Sequence, residues 1–162
     1  MSDSFYSLSK ANRLLWLFGL LKIRLIYFVG PRIVVFNQEE VVIRIKLNWR
    51  TKNHLNSMYL GVLTVGADLA SGFHAFALSQ KNGQKISLAF KGMNADFLSR
   101  PEGDVYFVAK VGQEVQEMLH ESTQTGERIT KDLEVVACTG YPNSITDVAK
   151  FQMGLSIKVK GN

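Results

Sequence analysis

The 162 residues of the chain, 46% of them hydrophobic and only three of them proline, predict one folded domain over residues 1–162 and exclude a largely disordered protein. Nineteen Lys and Arg against fourteen Asp and Glu give a net charge of +5, but the cations are scattered and form no long basic tract typical of nucleic-acid binding. Cys138 is the single cysteine, which excludes a disulfide framework or a cysteine-based zinc site within one chain and favours a reduced, cytoplasmic setting.

The first apolar run of the chain is too short to cross a membrane. Lys22 and Arg24 interrupt it, and its unbroken part falls well short of the ~20 residues that span a bilayer. The pattern predicts an amphipathic helix over residues 9–28 with Ser9 as its N-cap. Its predicted apolar face consists of Leu14, Leu17, Phe18, Leu21, Leu25 and Phe28. We expect this face to cover an edge of the domain; the alternative is docking on a membrane surface, which aromatic residues beside Arg and Lys would suit.

Gly30 and Pro31 break this helix, and the hydrophobic period then changes from helix to strand. Residues 33–36 form a short apolar run, residues 37–39 a polar turn, and residues 41–47 alternate between apolar and polar. This pattern predicts a β-hairpin whose second strand is half exposed.

A long apolar stretch with a single formal charge, Asp68, lies at the centre of the chain. It predicts a helix over residues 57–80, capped by Asn56 or Ser57 and buried on most sides because it is apolar nearly all round. A membrane-spanning helix of the same length is disfavoured because Asp68 would lie near its middle. A carboxylate in an apolar setting is costly unless it is paired, so Asp68 needs a structural or a functional reason.

The remainder of the chain alternates mostly in the two-residue period of strands. The alternating segments are residues 86–91, 105–111, 133–137 and 151–160, and residues 113–125 predict a short helix with Val115, Met118 and Leu119 buried. An antiparallel sheet wrapped around the long central helix satisfies all these patterns, since the strands are apolar on one side and the helix on every side. The predicted fold class is therefore α+β.

The order of elements and the segment from Asn53 to Gly72 resemble the hotdog fold. An N-terminal helix, a hairpin, an Asn-x-x-x-Ser-Met segment and a helix rich in small residues with one acid in its middle carry the resemblance. More narrowly, the chain resembles thioesterase-like proteins near the phenylacetate-pathway acyl-CoA thioesterases. The resemblance implies a thioester of coenzyme A as substrate, no cofactor, and a homodimer or a dimer of dimers (a homotetramer).

The resemblance also implies roles for individual residues. Asn53 takes the place of the polar side chain before the helix, and Asp68 that of the acid that serves as nucleophile or general base. Tyr59, Leu60 and Gly61 stand where the family has His-Gly-Gly, so one glycine remains. The backbone amides of Leu60 and Gly61 would hold the thioester oxygen, as helix N-terminal amides can whatever the side chain.

The spacing of small and polar residues agrees with these roles. Gly61, Thr64, Asp68, Ser71 and Gly72 fall on one stripe of the helix, which predicts a narrow polar groove beside the acid. Gly61 and Asp68 are two turns, ~10 Å, apart, so one chain cannot bring both to one carbonyl carbon. In the hotdog family the helices of two subunits face each other, and each site draws residues from both. The bland alternative is that Asp68 is a structural acid, hydrogen-bonded to Thr64, Ser71 or the second chain.

The sequence thus predicts an acyl-CoA thioesterase-like hydrolase. Its predicted catalytic residues are Asp68, Asn53, Leu60 and Gly61, and its predicted substrate-binding residues are Tyr59, Thr64, Ser71 and His54. Lys52, Lys91 or Arg100 are candidates for contacts with the phosphates of coenzyme A. His54 and His74 lie too far apart for a metal-binding motif, so no metal is expected. Two alternatives remain open: a non-catalytic acyl-CoA- or lipid-binding hotdog protein, and a module that binds a membrane surface or, with less support, nucleic acid through its basic surface.

Overall fold

The computed structural model describes residues 6–161; residues 1–5 and 162 of the predicted domain lie outside this part. Four helices and six strands follow each other in the order α1 (Leu8–Leu21), α2 (Arg24–Val29), β1 (Arg32–Phe36), β2 (Val41–Ile45), α3 (Leu60–Lys81), β3 (Lys85–Phe97), β4 (Val105–Ala109), α4 (Gly112–Thr125), β5 (Ile129–Thr139) and β6 (Thr146–Lys160). The strands form one antiparallel sheet in the order β1-β2-β4-β5-β6-β3, and α3 packs against strands β2 to β6. The predicted α+β hotdog fold, with a sheet around a central helix and an extra helical segment at the N-terminus, is confirmed.

Helix α3 packs closely on the sheet because small residues face the strands. Gly66 lies directly over the ring of Phe107 in β4, where a Cβ atom would overlap the ring. Ala67, Ala70, Ala75 and Ala77 are fully buried around it. Within residues 6–161, α3 is also the one helix long and apolar enough to cross a membrane, but most of it is buried by the rest of the chain, as in the core helix of a globular domain.

The predicted start of the central helix is three residues too early. α3 begins after Tyr59, and no side chain caps it. Ser57 is buried in the preceding loop, where its carbonyl accepts from Asn53 N at 2.8 Å. Asn56 adopts a left-handed conformation with φ of 57°. Neither predicted cap can serve, because both residues belong to a hydrogen-bonded loop rather than to the helix end.

The prediction of one helix over residues 9–28 is wrong in three respects. The segment is two helices, α1 and α2, separated at Lys22 and Ile23. The N-cap of α1 is Ser7, whose hydroxyl accepts from Lys10 N at 3.3 Å, and not Ser9. α2 folds back onto α1 at Gly19, where a Cβ atom would lie only 2.9 Å from Tyr27 N. Because the chain reverses direction at this turn, one helical period cannot run through both helices. The buried side of α1 is therefore not continued by the buried side of α2.

The predicted apolar face of this segment is accordingly not the buried one. The buried residues are Ala11, Leu15, Gly19, Ile26 and Val29. Leu17, Leu21, Leu25 and Phe28, predicted to face the domain, are exposed, while Leu14 and Phe18 are half-buried.

Asn12 fastens the helical segment to the sheet. Its Nδ2 donates to Ile33 O and its Oδ1 accepts from Ile33 N, both at 2.9 Å. Since Ile33 belongs to β1 at the outer edge of the sheet, α1 covers that edge, as expected of the N-terminal segment. The opposite edge strand, β3, pairs with β6 on one side and has its other side free within the described chain.

The later elements follow the predicted pattern. Val115, Met118 and Leu119 are the buried side of α4, as predicted. The segment between β3 and β4 is a connection across the sheet, because two strands, β5 and β6, separate β3 from β4.

Candidate functional site

Asp68 lies in the wall of an apolar pocket. The pocket has a volume of about 460 Å³ and is bounded by the N-terminal helices, α3 and β3. Its other lining residues are apolar and include Phe18, Ile23, Phe73, Phe76, Leu88 and Phe90. A volume of this size is typical of a small-molecule site, in which one or a few polar groups fix the orientation of an otherwise apolar ligand.

The Asp68 carboxyl group is half-buried and chemically alone. It has no hydrogen-bond or ion-pair partner anywhere in residues 6–161. Desolvation by burial raises its pKa above the ordinary value of 3.8. An unpaired carboxylate with a raised pKa is a better base than a solvated one, and such groups concentrate at functional sites.

The two hydroxyl groups predicted near Asp68 are bonded elsewhere. Thr64 Oγ1 donates to Leu60 O at 3.1 Å, and Ser71 Oγ donates to Ala67 O at 2.8 Å. Ser71 is buried and does not line the pocket, so its hydroxyl serves the helix backbone. Asp68 therefore lacks the intrachain hydrogen bonds that would make it a purely structural acid.

The N-terminus of α3 presents unpaired backbone amides. The N–H groups of Leu60 and Gly61 have no acceptor within the described residues, and no side chain caps the helix. Tyr59 and Leu60 are exposed, and the Tyr59 ring lies over Gly61, where a Cβ atom would be 2.6 Å from Tyr59 Cε1. Free amides at a helix start attract an oxyanion because the helix dipole adds to their hydrogen bonds.

Asn53 stands beside this helix start and organises its loop. Its Oδ1 accepts from Leu55 N at 2.9 Å and from Ser57 N at 3.2 Å. Its side-chain NH2 group has no acceptor in the described part of the chain, so it is free to donate to a ligand. Neighbouring His54 is exposed and lines none of the pockets described here.

Three of the four predicted catalytic residues line two separate cavities, and Gly61 lines neither of them. Asn53 and Leu60 line a second cavity of about 400 Å³, together with Phe97, Leu98 and Arg100 at the end of β3. Asp68 lies in the first pocket, and no residue is shared between the two linings. One chain therefore contains both halves of the predicted site but does not bring them together.

Of the predicted phosphate contacts, Arg100 lies at this second cavity and pairs with Glu102 at 3.4 Å, both side chains being exposed. Lys91 is exposed on β3, and Lys52 Nζ donates to Asn56 Oδ1 at 3.1 Å. Over residues 6–161 no group of three or more His, Cys, Asp or Glu side chains is placed to hold a metal ion.

Sequence reasoning missed most of the pocket that surrounds Asp68. Its walls come from the turn between α1 and α2 and from β3, through residues such as Ile23 and Leu88. The alternation of Ile86, Leu88 and Phe90 in β3 was visible in the sequence. In the structure these three apolar side chains are only half-buried, because they face the pocket. The alternation predicted their shared side, but not that this side faces a cavity.

The fold defines the chain as a hotdog-fold protein, and structural similarity supports this. The chain is similar to a protein of unknown function from Chlorobaculum tepidum (TM-score 0.79, 14% identity, 95% of this chain and 97% of the other covered). It is also similar to a thioesterase family protein from Silicibacter pomeroyi (0.67, 15%, 95% and 100%). A third similar structure is zebrafish thioesterase superfamily member 2 (0.63, 14%, 96% and 99%). At these identities the similarity establishes the fold.

The family is shown by sequence. The profile described as "Domain of unknown function (DUF4442)" matches residues 17–153, most of the chain. The chain therefore belongs to the DUF4442 family. No curated protein sequence matches the chain significantly.

Proposed function

We propose that the protein is an acyl-CoA thioesterase-like hydrolase whose active site is completed by a second copy of the chain. The observation that carries the proposal is the unpaired Asp68 carboxylate in the wall of an apolar pocket of about 460 Å³. A thioester with an apolar acyl group matches such a pocket: the chain is buried among apolar side chains while the reacting carbonyl lies beside the carboxylate.

A two-fold axis would join the two halves of the site. The midpoint between Gly61 and Asp68 lies near Thr64 and Val65, both of which are half-buried and able to face a second helix. If two antiparallel α3 helices cross at this midpoint, Gly61 and Asp68 lie equally far from the two-fold axis on opposite sides. The free amides of one helix then lie opposite Asp68 of the other. The free edge of β3 offers main-chain hydrogen bonds for the same dimer.

The proposed chemistry is hydrolysis of the thioester bond. Asp68 takes a proton from water, or attacks the carbonyl carbon itself, while the Leu60 and Gly61 amides of the second copy stabilise the oxyanion. The C–S bond breaks, and the thiolate leaves and receives a proton. If water attacks, the acyl group leaves directly as a carboxylic acid; if Asp68 attacks, water then hydrolyses the anhydride between Asp68 and the acyl group, which releases the acid and restores the carboxylate. Asn53 orients the carbonyl or the water through its free NH2 group.

The test of catalysis is hydrolysis of a panel of acyl-CoA thioesters by wild type and Asp68→Asn. The expected loss of kcat in the variant is about 100-fold or more, the usual contribution of a general base. Asp132→Asn, an exposed acid on β5, is the matched control and should hydrolyse at the wild-type rate. Absence of hydrolysis with every thioester, or an unchanged rate in Asp68→Asn, would refute the catalytic proposal.

The shared site is tested by mixing two inactive variants. If Asp68 of one copy acts with Asn53 of the other, unfolding and refolding an equal mixture of Asp68→Asn and Asn53→Ala creates dimers with one intact site. About half of the dimers contain one chain of each variant, and each of these mixed dimers has one intact site out of two. About a quarter of the wild-type activity should therefore return. If each site lies within one chain, the mixture stays inactive.

A second function, acyl-CoA or lipid binding without catalysis, is favoured by one specific observation. The Tyr59 ring lies against Gly61 and covers one side of the helix start, where the His-Gly-Gly motif of the thioesterases has no tyrosine ring. Binding alone would raise the melting temperature with acyl-CoA concentration, without release of free thiol. Thiol release measured in the same samples separates the two functions.

A further inference from the structure

The two N-terminal helices present their apolar side chains outward. The hairpin surface, as we name it, consists of the exposed residues of α1, of the turn, of α2 and of the loop after β2: Trp16, Leu17, Leu20, Leu21, Ile23, Leu25, Tyr27, Phe28 and Trp49. Leu21 is 71% exposed and Trp49 is 76% exposed. An ordinary surface helix has polar residues on this side, so the arrangement requires a reason beyond packing within the chain.

The aromatic rings of the hairpin surface contact one another in pairs. Trp16 and Tyr27 meet edge to face at 5.9 Å between ring centroids, and Phe28 and Trp49 do so at 6.1 Å. The Arg50 guanidinium group lies 5.9 Å from the rings of both Phe28 and Trp49. Aromatic rings with a cation beside them are the side chains that accumulate at the headgroup level of membranes.

The charged residues along the two N-terminal helices have one sign. Between residues 6 and 38 the charged residues are all basic, and they are Lys10, Arg13, Lys22, Arg24 and Arg32. Lys10 and Arg13 lie on the same side of α1 as Trp16, Leu17, Leu20 and Leu21, at helical spacings of three and four. Apolar side chains bordered by cations are complementary to a surface that is apolar beneath and anionic above.

We propose that the hairpin surface docks the protein on an anionic lipid bilayer. A second copy of the chain is a poorer occupant, since a two-fold contact through this surface would place its cations against themselves. The exposed rings and leucines enter the headgroup region, and Lys22 and Arg24 at the turn meet the lipid phosphates. Docking through this surface requires neither the Asp68 carboxylate nor any reaction.

Docking would bring the Asp68 pocket to the membrane. Ile23 belongs both to the hairpin surface and to the pocket lining, so the turn between the helices lies at the pocket and at the bilayer together. The use of this arrangement rests on the proposed function. If that function holds, a long acyl chain can pass from the bilayer into the pocket without crossing water.

The experiment is co-sedimentation with vesicles in the absence of any thioester. Wild type is mixed with vesicles of phosphatidylcholine alone or with about one third of phosphatidylglycerol, which sets the anionic surface potential. We expect binding to the mixed vesicles and much weaker binding to the neutral ones. Trp16 and Trp49 are the two tryptophans of the chain, so binding should also shift the fluorescence emission to shorter wavelengths.

Two sets of variants separate the apolar from the charged contribution. Leu21→Gln with Leu25→Gln should weaken partitioning roughly ten-fold or more. Lys22→Gln and Arg24→Gln should each weaken it about five-fold on anionic vesicles. Ile145→Gln, at a comparably exposed apolar residue outside the surface, is the control and should bind as wild type does.

Each outcome decides the proposal. Failure of wild type to bind the mixed vesicles, equal binding to both vesicle types, or unchanged binding of the leucine variant overturns it. A smaller oligomer in solution for the leucine variant also overturns it, since the surface would then be a contact between copies. Circular dichroism and melting curves identical to wild type show that the variants remain folded. Because no thioester is present, none of these results bears on hydrolysis.

Discussion

Gly66 and Gly72 occupy the same helix, α3, and substitution of each by alanine should have opposite effects on stability. A Cβ atom at Gly66 would overlap the Phe107 ring, 2.5 Å from Cε1 and closer to two other ring atoms. Phe107 is fully buried in β4 between Ile43 and Ala137, so its ring has no free space to enter. At Gly72 the nearest atom would be Phe90 Cζ at 3.6 Å, an ordinary contact.

The magnitudes follow from two opposing terms. Alanine in place of glycine within a helix stabilises by about 1 kcal/mol through propensity and chain entropy. Overpacking a core costs about 1–3 kcal/mol, and contact with a rigid ring puts Gly66→Ala near the upper end. We therefore expect Gly66→Ala to lose about 1–2 kcal/mol of unfolding free energy and Gly72→Ala to gain up to about 1 kcal/mol.

The assay is urea denaturation of wild type and both variants at one fixed protein concentration, because the proposed dimer would make stability depend on concentration. Equal slopes with shifted midpoints identify a change in stability rather than in compactness. Gly66→Ala should also melt about 2–8 °C below wild type. If Gly66→Ala is as stable as Gly72→Ala, the close approach of α3 to β4 does not exist, and the packing argument is refuted.

Asp68→Asn should be more stable than wild type at neutral pH. Burial raises the pKa of the Asp68 carboxyl group, so ionisation of this group destabilises the folded state. The destabilisation grows as the pH rises from the ordinary pKa of 3.8 through the raised pKa of the folded state. Urea midpoints of both proteins should therefore converge below pH 3.8, and a constant difference at all pH values would contradict the assignment. Asn12→Ala should cost about 1–3 kcal/mol by leaving both backbone groups of Ile33 unpaired, whereas an unchanged urea midpoint would mean that α1 is not held at β1. Cys138 should react slowly with iodoacetamide in the folded protein and rapidly in urea, because burial and the charge of Asp147 raise its thiol pKa; equal rates, followed by mass spectrometry, would place it at the surface.

Hydrophobic period alone predicted the architecture of this protein. An uninterrupted apolar helix between alternating strands requires a sheet wrapped around it, and the resemblance of residues 53–72 narrowed that arrangement to the hotdog fold. The single acid within the helix also identified Asp68 as the residue to examine, since no packing reason places a carboxylate there.

The hydrophobic period did not predict which side of a helix is buried where both sides are equally apolar. In α1, Leu21 and Leu15 are equally apolar, yet only Leu15 is buried, because Gly19 sets which side α2 can approach. A sequence pattern states which residues avoid water but not which neighbour covers them. The hairpin surface and the break at Lys22 could therefore be recognised only in three dimensions.

The site itself depends on tertiary structure for the same reason. Spacing along α3 already separated Gly61 from Asp68, and their family roles came from the resemblance. Only the folded chain shows that Asn53 and Asp68 line different cavities and that the free edge of β3 lies available for a second chain. Distances between elements arise from long-range packing, which local sequence encodes only through the elements it builds.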